Sequence, residues 1–185
     1  MSRETHALGM IEFTGIAKGI ESADQMVKAA RVDPLFFKTV CPGKYVAAVR
    51  GNVAGVAAAV DAGRACGGIA VSDWFTLANL HPDVFPALCG GAPVPQRNAL
   101  GVLESYSVPS IVLAADAAVK AASVALLEVR TAFGLGGKGY ALVCGDVAAV
   151  QAAVDAGAAR IREAGLLVGH VAIPSPDAAL WNRII

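Results

Sequence analysis

Aromatic residues are scarce in this 185-residue chain, at 6% of the sequence, so its core must be filled with small aliphatic side chains. Net charge is missing as well. Fifteen Lys and Arg balance fifteen Asp and Glu, and no block of like charge stands out. A nucleic-acid surface needs a basic footprint, so no nucleic-acid partner is expected. Near-neutrality instead suits a protein that packs against copies of itself. Charged residues make up 16% of the chain against 56% hydrophobic, which excludes intrinsic disorder. The apolar stretch from Ser110 to Val129 is interrupted by Asp116, Lys120 and Glu128. Such charges are costly at a bilayer centre, so no membrane partner is expected. The segment Met1 to His6 carries no apolar leader core, which points to a cytoplasmic location. The cysteines Cys41, Cys66, Cys89 and Cys144 form no CxxC pair and are expected as reduced thiols. His6, His81 and His170 are scattered and no hydrolytic constellation stands out, so no catalytic activity is expected.

What the chain has in quantity is self-similarity. Ala7-Leu8-Gly9-Met10-Ile11-Glu12 returns as Ala99-Leu100-Gly101-Val102-Leu103-Glu104, and Val27-Lys28-Ala29-Ala30 as Val119-Lys120-Ala121-Ala122. Further along, Gly43-Lys44 returns as Gly137-Lys138, and Ala58 to Gly63 as Ala152 to Gly157. Internal repetition of this kind means a duplicated structural unit. The first domain is assigned to residues 7–90, the second to 99–185. Residues 91–98, which hold Gly91, Pro93 and Pro95, are the linker between them. The offset grows between Thr39 and Gly43. Val40-Cys41-Pro42 in the first repeat stands against Ala132-Phe133-Gly134-Leu135-Gly136 in the second. The framework is duplicated and this loop has diverged, and loops carry function more often than framework does.

Each repeat reads as the same series of elements. A short apolar strand (Leu8–Phe13; Leu100–Ser105) precedes a helix. Ile16, Ile20, Ala23, Val27 and Ala30 mark one helical face in the first repeat; Val108, Val112, Ala115, Val119 and Ala122 mark it in the second. Strands on either side of the divergent loop follow (Leu35–Thr39 and Lys44–Val49; Ala125–Thr131 and Tyr140–Cys144). A second helix starts at Asn52 and at Asp146, both good N-cap residues, with Val53, Val56 and Val60 facing inward. A last strand and a short helix close the unit. The fold class is therefore α/β of the α+β kind, an antiparallel-rich sheet with helices layered on it, twice over.

Leu8-Gly9-Met10-Ile11-Glu12, Ala23 to Ala30, Gly43-Lys44 and Gly51-Asn52-Val53, with their echoes in the second repeat, resemble the bacterial microcompartment shell domain. The order of elements is that of the unpermuted tandem type. Lys38 to Lys44, Leu77 to Pro82 and Ala132 to Lys138 are similar to the T-type shell proteins of propanediol-utilisation compartments. The resemblance implies a homotrimer that forms a pseudohexagonal tile, meets other microcompartment shell proteins edge to edge, and encloses enzymes, redox enzymes among them. It implies that Val40, Cys41, Pro42 and Gly43, with Phe133, Gly134, Leu135, Gly136 and Gly137, line a central passage. Cys41 then carries two readings. Three thiolates converging on a three-fold axis could hold a [4Fe–4S] cluster by three corners, for electron transfer or cluster passage. Alternatively Cys41 is a small side chain that narrows a pore for metabolites. The same resemblance places Lys28 and Lys120 at the tile edge. The family's edge arginine is absent, since His81 and Ser175 occupy its positions; His81 is either an edge donor or a turn residue.

Two motifs are set aside. Gly134-Leu135-Gly136-Gly137-Lys138-Gly139 spells GxGxxG but leads into a strand, whereas a dinucleotide site needs a helix there. Cys66, Cys89 and Cys144 stand opposite Arg160, Arg183 and Arg50 of the other repeat, and are expected to be buried or partly buried small side chains. Trp74 and Trp181 are expected to be packing residues, and Glu12 and Glu104 framework residues.

Overall fold

A computed structural model describes residues 7–90, 98–131 and 134–184. Their contacts divide the chain into two compact units that do not coincide with the two repeats. The first runs to Leu80 and includes Ser107–Pro109 and residues 134–137; the second comprises 81–90, 98–106, 110–131 and 138–184.

In the first unit, β1 (Ala7–Phe13), β2 (Asp33–Val40), β3 (Lys44–Gly51) and β4 (Val71–Leu77) form a sheet of order β2-β3-β1-β4. Every neighbouring pair is antiparallel, as the α+β reading expects. The helices α1 (Ile16–Ala29) and α2 (Val53–Gly67) supply the second layer. Between the layers lies an apolar core that includes Ile11, Phe13, Met26, Val49, Val56 and Val60. Each large side chain buried there stabilises the fold by about 1.5–3 kcal/mol. Val53 departs from expectation and is exposed, while Val56 and Val60 face inward. The segment Val53–Ala70, α2 with the 3-10 turn after it, is long and apolar enough to cross a membrane by length and composition, with mean hydropathy 1.3. Here its inner side packs into this core.

The first helix corrects the sequence reading more sharply. Ile16, Ile20 and Val27 point outward, and the face turned to the sheet is Gly19, Ser22, Ala23 and Met26. The cause is steric. A Cβ at Gly19 would lie 2.6 Å from the Cβ of Tyr45, so α1 sits too close to β3 for a large residue there.

In the second unit, β5 (Ala99–Ser105), β6 (Ala125–Thr131), β7 (Gly139–Gly145) and β8 (Leu167–Ile173) repeat the topology as β6-β7-β5-β8. Its helices are α4 (Val108–Ala121), of which the first two residues count with the first unit, and α5 (Val147–Arg162). The short α3 (Val84–Leu88) packs against β6. The last helix, α6 (Ala178–Ile184), lays Trp181 against Leu100, Leu127, Leu142 and Cys144.

The close helix–strand approach recurs with its sizes reversed. The counterparts of Gly19 and Tyr45 are Ile111 and Gly139, and a Cβ at Gly139 would lie 2.6 Å from the Ile111 side chain. One repeat places the large residue on the strand and the other on the helix, so the volume at the contact is roughly kept. The N-caps also differ. Asn52 Oδ1 accepts from Gly55 N at 2.7 Å, whereas Asp146 makes no capping bond and its Oδ1 accepts from Asn98 Nδ2 at 3.0 Å.

Candidate functional site: the divergent loops and the acidic strand positions

The loop joining β2 to β3 is a tight turn because Gly43 takes φ 78°, a left-handed conformation that glycine adopts without penalty. Val40 is buried, Cys41 is half-buried, and Pro42 and Gly43 are exposed. The glycine-rich turn 134–137 lies beside it within the first unit. A Cβ at Gly137 would stand 2.9 Å from Pro42 Cδ and 3.1 Å from the carbonyl oxygen of Cys41, so only glycine fits. Gly134 and Gly136 are exposed and Leu135 is half-buried. The structure thus brings together eight of the nine residues assigned to the passage; Phe133 lies outside the described residues. The motif Gly134 to Gly139 does lead into a strand, β7, as read from the sequence.

All four cysteines are free. Cys144 is buried, and burial pushes its thiol up from the ordinary range. Cys66 is half-buried, but Cys89 is exposed, against expectation. It is the C-cap of α3, a helix of five residues. Among the described residues, no group of three His, Cys, Asp or Glu is placed to hold a metal ion. At the paired turns, a single chain offers one thiol among the described residues, Cys41. The donor set fits a cluster only where three copies bring their Cys41 residues together.

Behind the loops stands a network that the sequence reading treated as framework. Glu12, on the central strand β1, is fully buried. Its Oε1 accepts from Lys44 Nζ at 2.9 Å and from Ser72 Oγ at 2.9 Å. Its Oε2 accepts at 3.1 Å from the backbone N–H of Val108, the first residue of α4. Beside it, Ser107 donates to Asp73. A buried carboxylate is tolerable because three donors, one of them a cation, satisfy it, and because a helix N-terminus favours negative charge. The signal was present in the sequence: Glu and Lys recur together in both repeats.

The second pair is built differently. Glu104 Oε1 accepts from Lys138 Nζ at 2.8 Å, but its side chain is 38% exposed. That hydrogen bond is the main reason the Lys138 ammonium titrates above its ordinary value.

The edge candidates lie on or near the helices. Lys28 pairs with Asp24 at 2.5 Å on exposed α1 surface. Lys120 pairs with Asp116 at 2.5 Å, and Asp116 also accepts from the backbone N–H of His81 at 2.8 Å. The His81 ring accepts from Asp83 N at 3.3 Å, which is the behaviour of a turn residue. Trp181 is a core residue, but Trp74 is 39% exposed and stacks under the Arg64 guanidinium at 3.5 Å.

Comparison with known proteins gives the family. The BMC domain family model matches twice, over residues 7–80 and 99–176. The bacterial microcompartment shell protein PduT of Citrobacter freundii is 41% identical over 181 residues, covering 98% of each chain. The shell protein EutM of Salmonella typhimurium is 45% identical over 82 residues, 44% of this chain and 83% of its own. The crystal structure of a microcompartment protein from Desulfitobacterium hafniense superposes with a TM-score of 0.86 at 43% identity, covering 96% of this chain and 99% of that one. With its duplicated antiparallel sheets and these matches, the chain belongs to the bacterial microcompartment shell-protein family and carries two BMC domains in tandem.

Proposed function

We propose that this chain is a structural, non-catalytic tile of a microcompartment shell, closed as a homotrimer in which six domains mimic a hexagon. The observation that carries this reading is the outward apolar stripe of α1. Ile20 is 53% exposed in the single chain, yet its repeat counterpart Val112 is fully buried. Equivalent positions in equivalent folds should have equivalent surroundings, and a further copy of the chain supplies them. A closed ring of head-to-tail contacts meets that need at every seam. Lys28 and Lys120 then lie at the tile edge, toward other shell proteins.

In such a ring the paired loops 40–43 and 134–137 surround the central axis, and the Cys41 residues of three chains would hold a [4Fe–4S] cluster. A bound cluster supplies one-electron transfer, which suits exchange with redox enzymes inside the shell. The chain's part is to hold three thiolates at fixed turns, with Pro42 and Gly43 setting the loop and Gly137 admitting the neighbouring turn. The alternative is the same tile without a cluster, a pore for small metabolites. The exposure of Gly134 and Gly136 in the second turn favours it, because glycine leaves the backbone there open to polar solutes.

Purification without oxygen, with iron and acid-labile sulfide counted per trimer, tests the cluster beside a Cys41→Ala variant. One cluster per trimer, absent from the variant, is the expected result. A colourless, iron-free trimer after reconstitution would leave the pore.

A further inference from the structure

Glu12 and Glu104 occupy the same position of the same strand, yet one is sealed and the other is open. Glu12 is fully buried because the N-terminus of α4 rests on it, Val108 N–H donating to its carboxylate within the first unit. Glu104 has 38% of its side chain exposed and lines a cavity of about 450 Å³ with Val102, Tyr140, Leu142, Leu180, Arg183 and Arg130, the last of which is paired with Glu128. The residue that corresponds to Val108 is Ile16, the first residue of α1. No side chain caps that helix, and it has no acidic residue in its first turn. Ile16 itself is exposed and apolar.

We infer that Glu104 of one chain receives the N-terminus of α1 from a second copy of the chain, with Ile16 entering the cavity. Resting on the trimer reading above, this names the seam. The carboxylate complements the partial positive charge of the helix end, as Glu12 does for α4. The same correspondence assigns a second bond to the same seam and in the same direction. His81 N–H donates to Asp116, whose side chain is 6% exposed. The counterparts are Ser175, exposed, and Asp24, 47% exposed. Both open positions on one side of the seam, Glu104 and Ser175, belong to the second repeat. Both on the other side, Ile16 and Asp24, belong to the first. Head-to-tail closure satisfies all four at once.

A charge exchange across the seam tests this on the full-length chain, by native mass spectrometry and sedimentation over a range of concentrations. Glu104→Lys sets a cation against the helix end. Gly15→Asp sets a carboxylate against Glu104, and Gly15 has open space around its Cβ position. Each variant alone is expected to raise the trimer dissociation concentration about tenfold or more, and the double variant to return it most of the way. Circular dichroism shows whether each chain is folded. Should Glu104→Lys unfold, Glu104→Gln replaces it, with a weaker trimer expected. A wild-type trimer that Glu104 variants leave unchanged would overturn the inference while the trimer reading stands. A wild-type chain that stays monomeric overturns both.

Discussion

The helices α1 and α4 are built to the same plan and live in opposite surroundings. The apolar positions Ile16, Ile20 and Val27 of α1 are exposed, whereas Val108, Val112 and Val119 of α4 are buried. Periodicity identifies an apolar face, but it does not say whether that face meets the helix's own sheet or another molecule. In α1 the sheet-facing side is set by size, with Gly19 pressed against Tyr45, and the larger apolar residues are left for the outside. The contrast teaches that a stripe which looks like core in the sequence can face outward from its own fold.

The largest effect should come from putting the same charge on the two stripes. Val112→Asp buries an uncompensated carboxylate and is expected to cost about 4 kcal/mol or more in a urea melt. Ile20→Asp should leave that melt within about 0.5 kcal/mol for the dissociated chain, yet abolish association in sedimentation. Equal losses of fold stability would erase the distinction between the helices.

The reversed size pair gives a smaller and sharper comparison. Gly19→Ala forces the Tyr45 ring to move and should cost about 1–3 kcal/mol in thermal or urea melts. Copying the other repeat's solution, Gly19→Ile with Tyr45→Gly, should couple favourably by about 1 kcal/mol relative to the two single changes. Additive losses would show that the two contacts are not interchangeable.

The caps give the smallest effect. Asn52→Ala removes an observed capping bond and is expected to cost about 1 kcal/mol. Asp146→Ala removes only a bond to Asn98 and a favourable charge at the helix end, about 0.5 kcal/mol or less. Matched urea melts of the two variants would show whether the caps differ as their geometry says.

Much of the framework was legible from the sequence. The duplication, the strand–helix order and the place of the divergent loop all followed from matching segments, because repeats expose their own boundaries. Cys41 was legible as a loop residue for the same reason. The orientation of α1 was not, because glycine and serine on an inner face leave no hydropathy signal. The Glu12–Lys44 pair was also missed. Two residues 32 positions apart become neighbours only through the antiparallel pairing of β1 with β3, which sets Phe13 opposite Tyr45. Asn52 and Asp146 look alike as caps, and only the position of Asn98 makes them differ.

The central claim is that the exposed stripe of α1 is covered by another copy of the same chain. The most direct measurement is the mass of the wild-type protein in solution, by sedimentation equilibrium at micromolar concentration. The account predicts a single species of three times 18.7 kDa. A chain that remains at 18.7 kDa across the whole concentration range would contradict it.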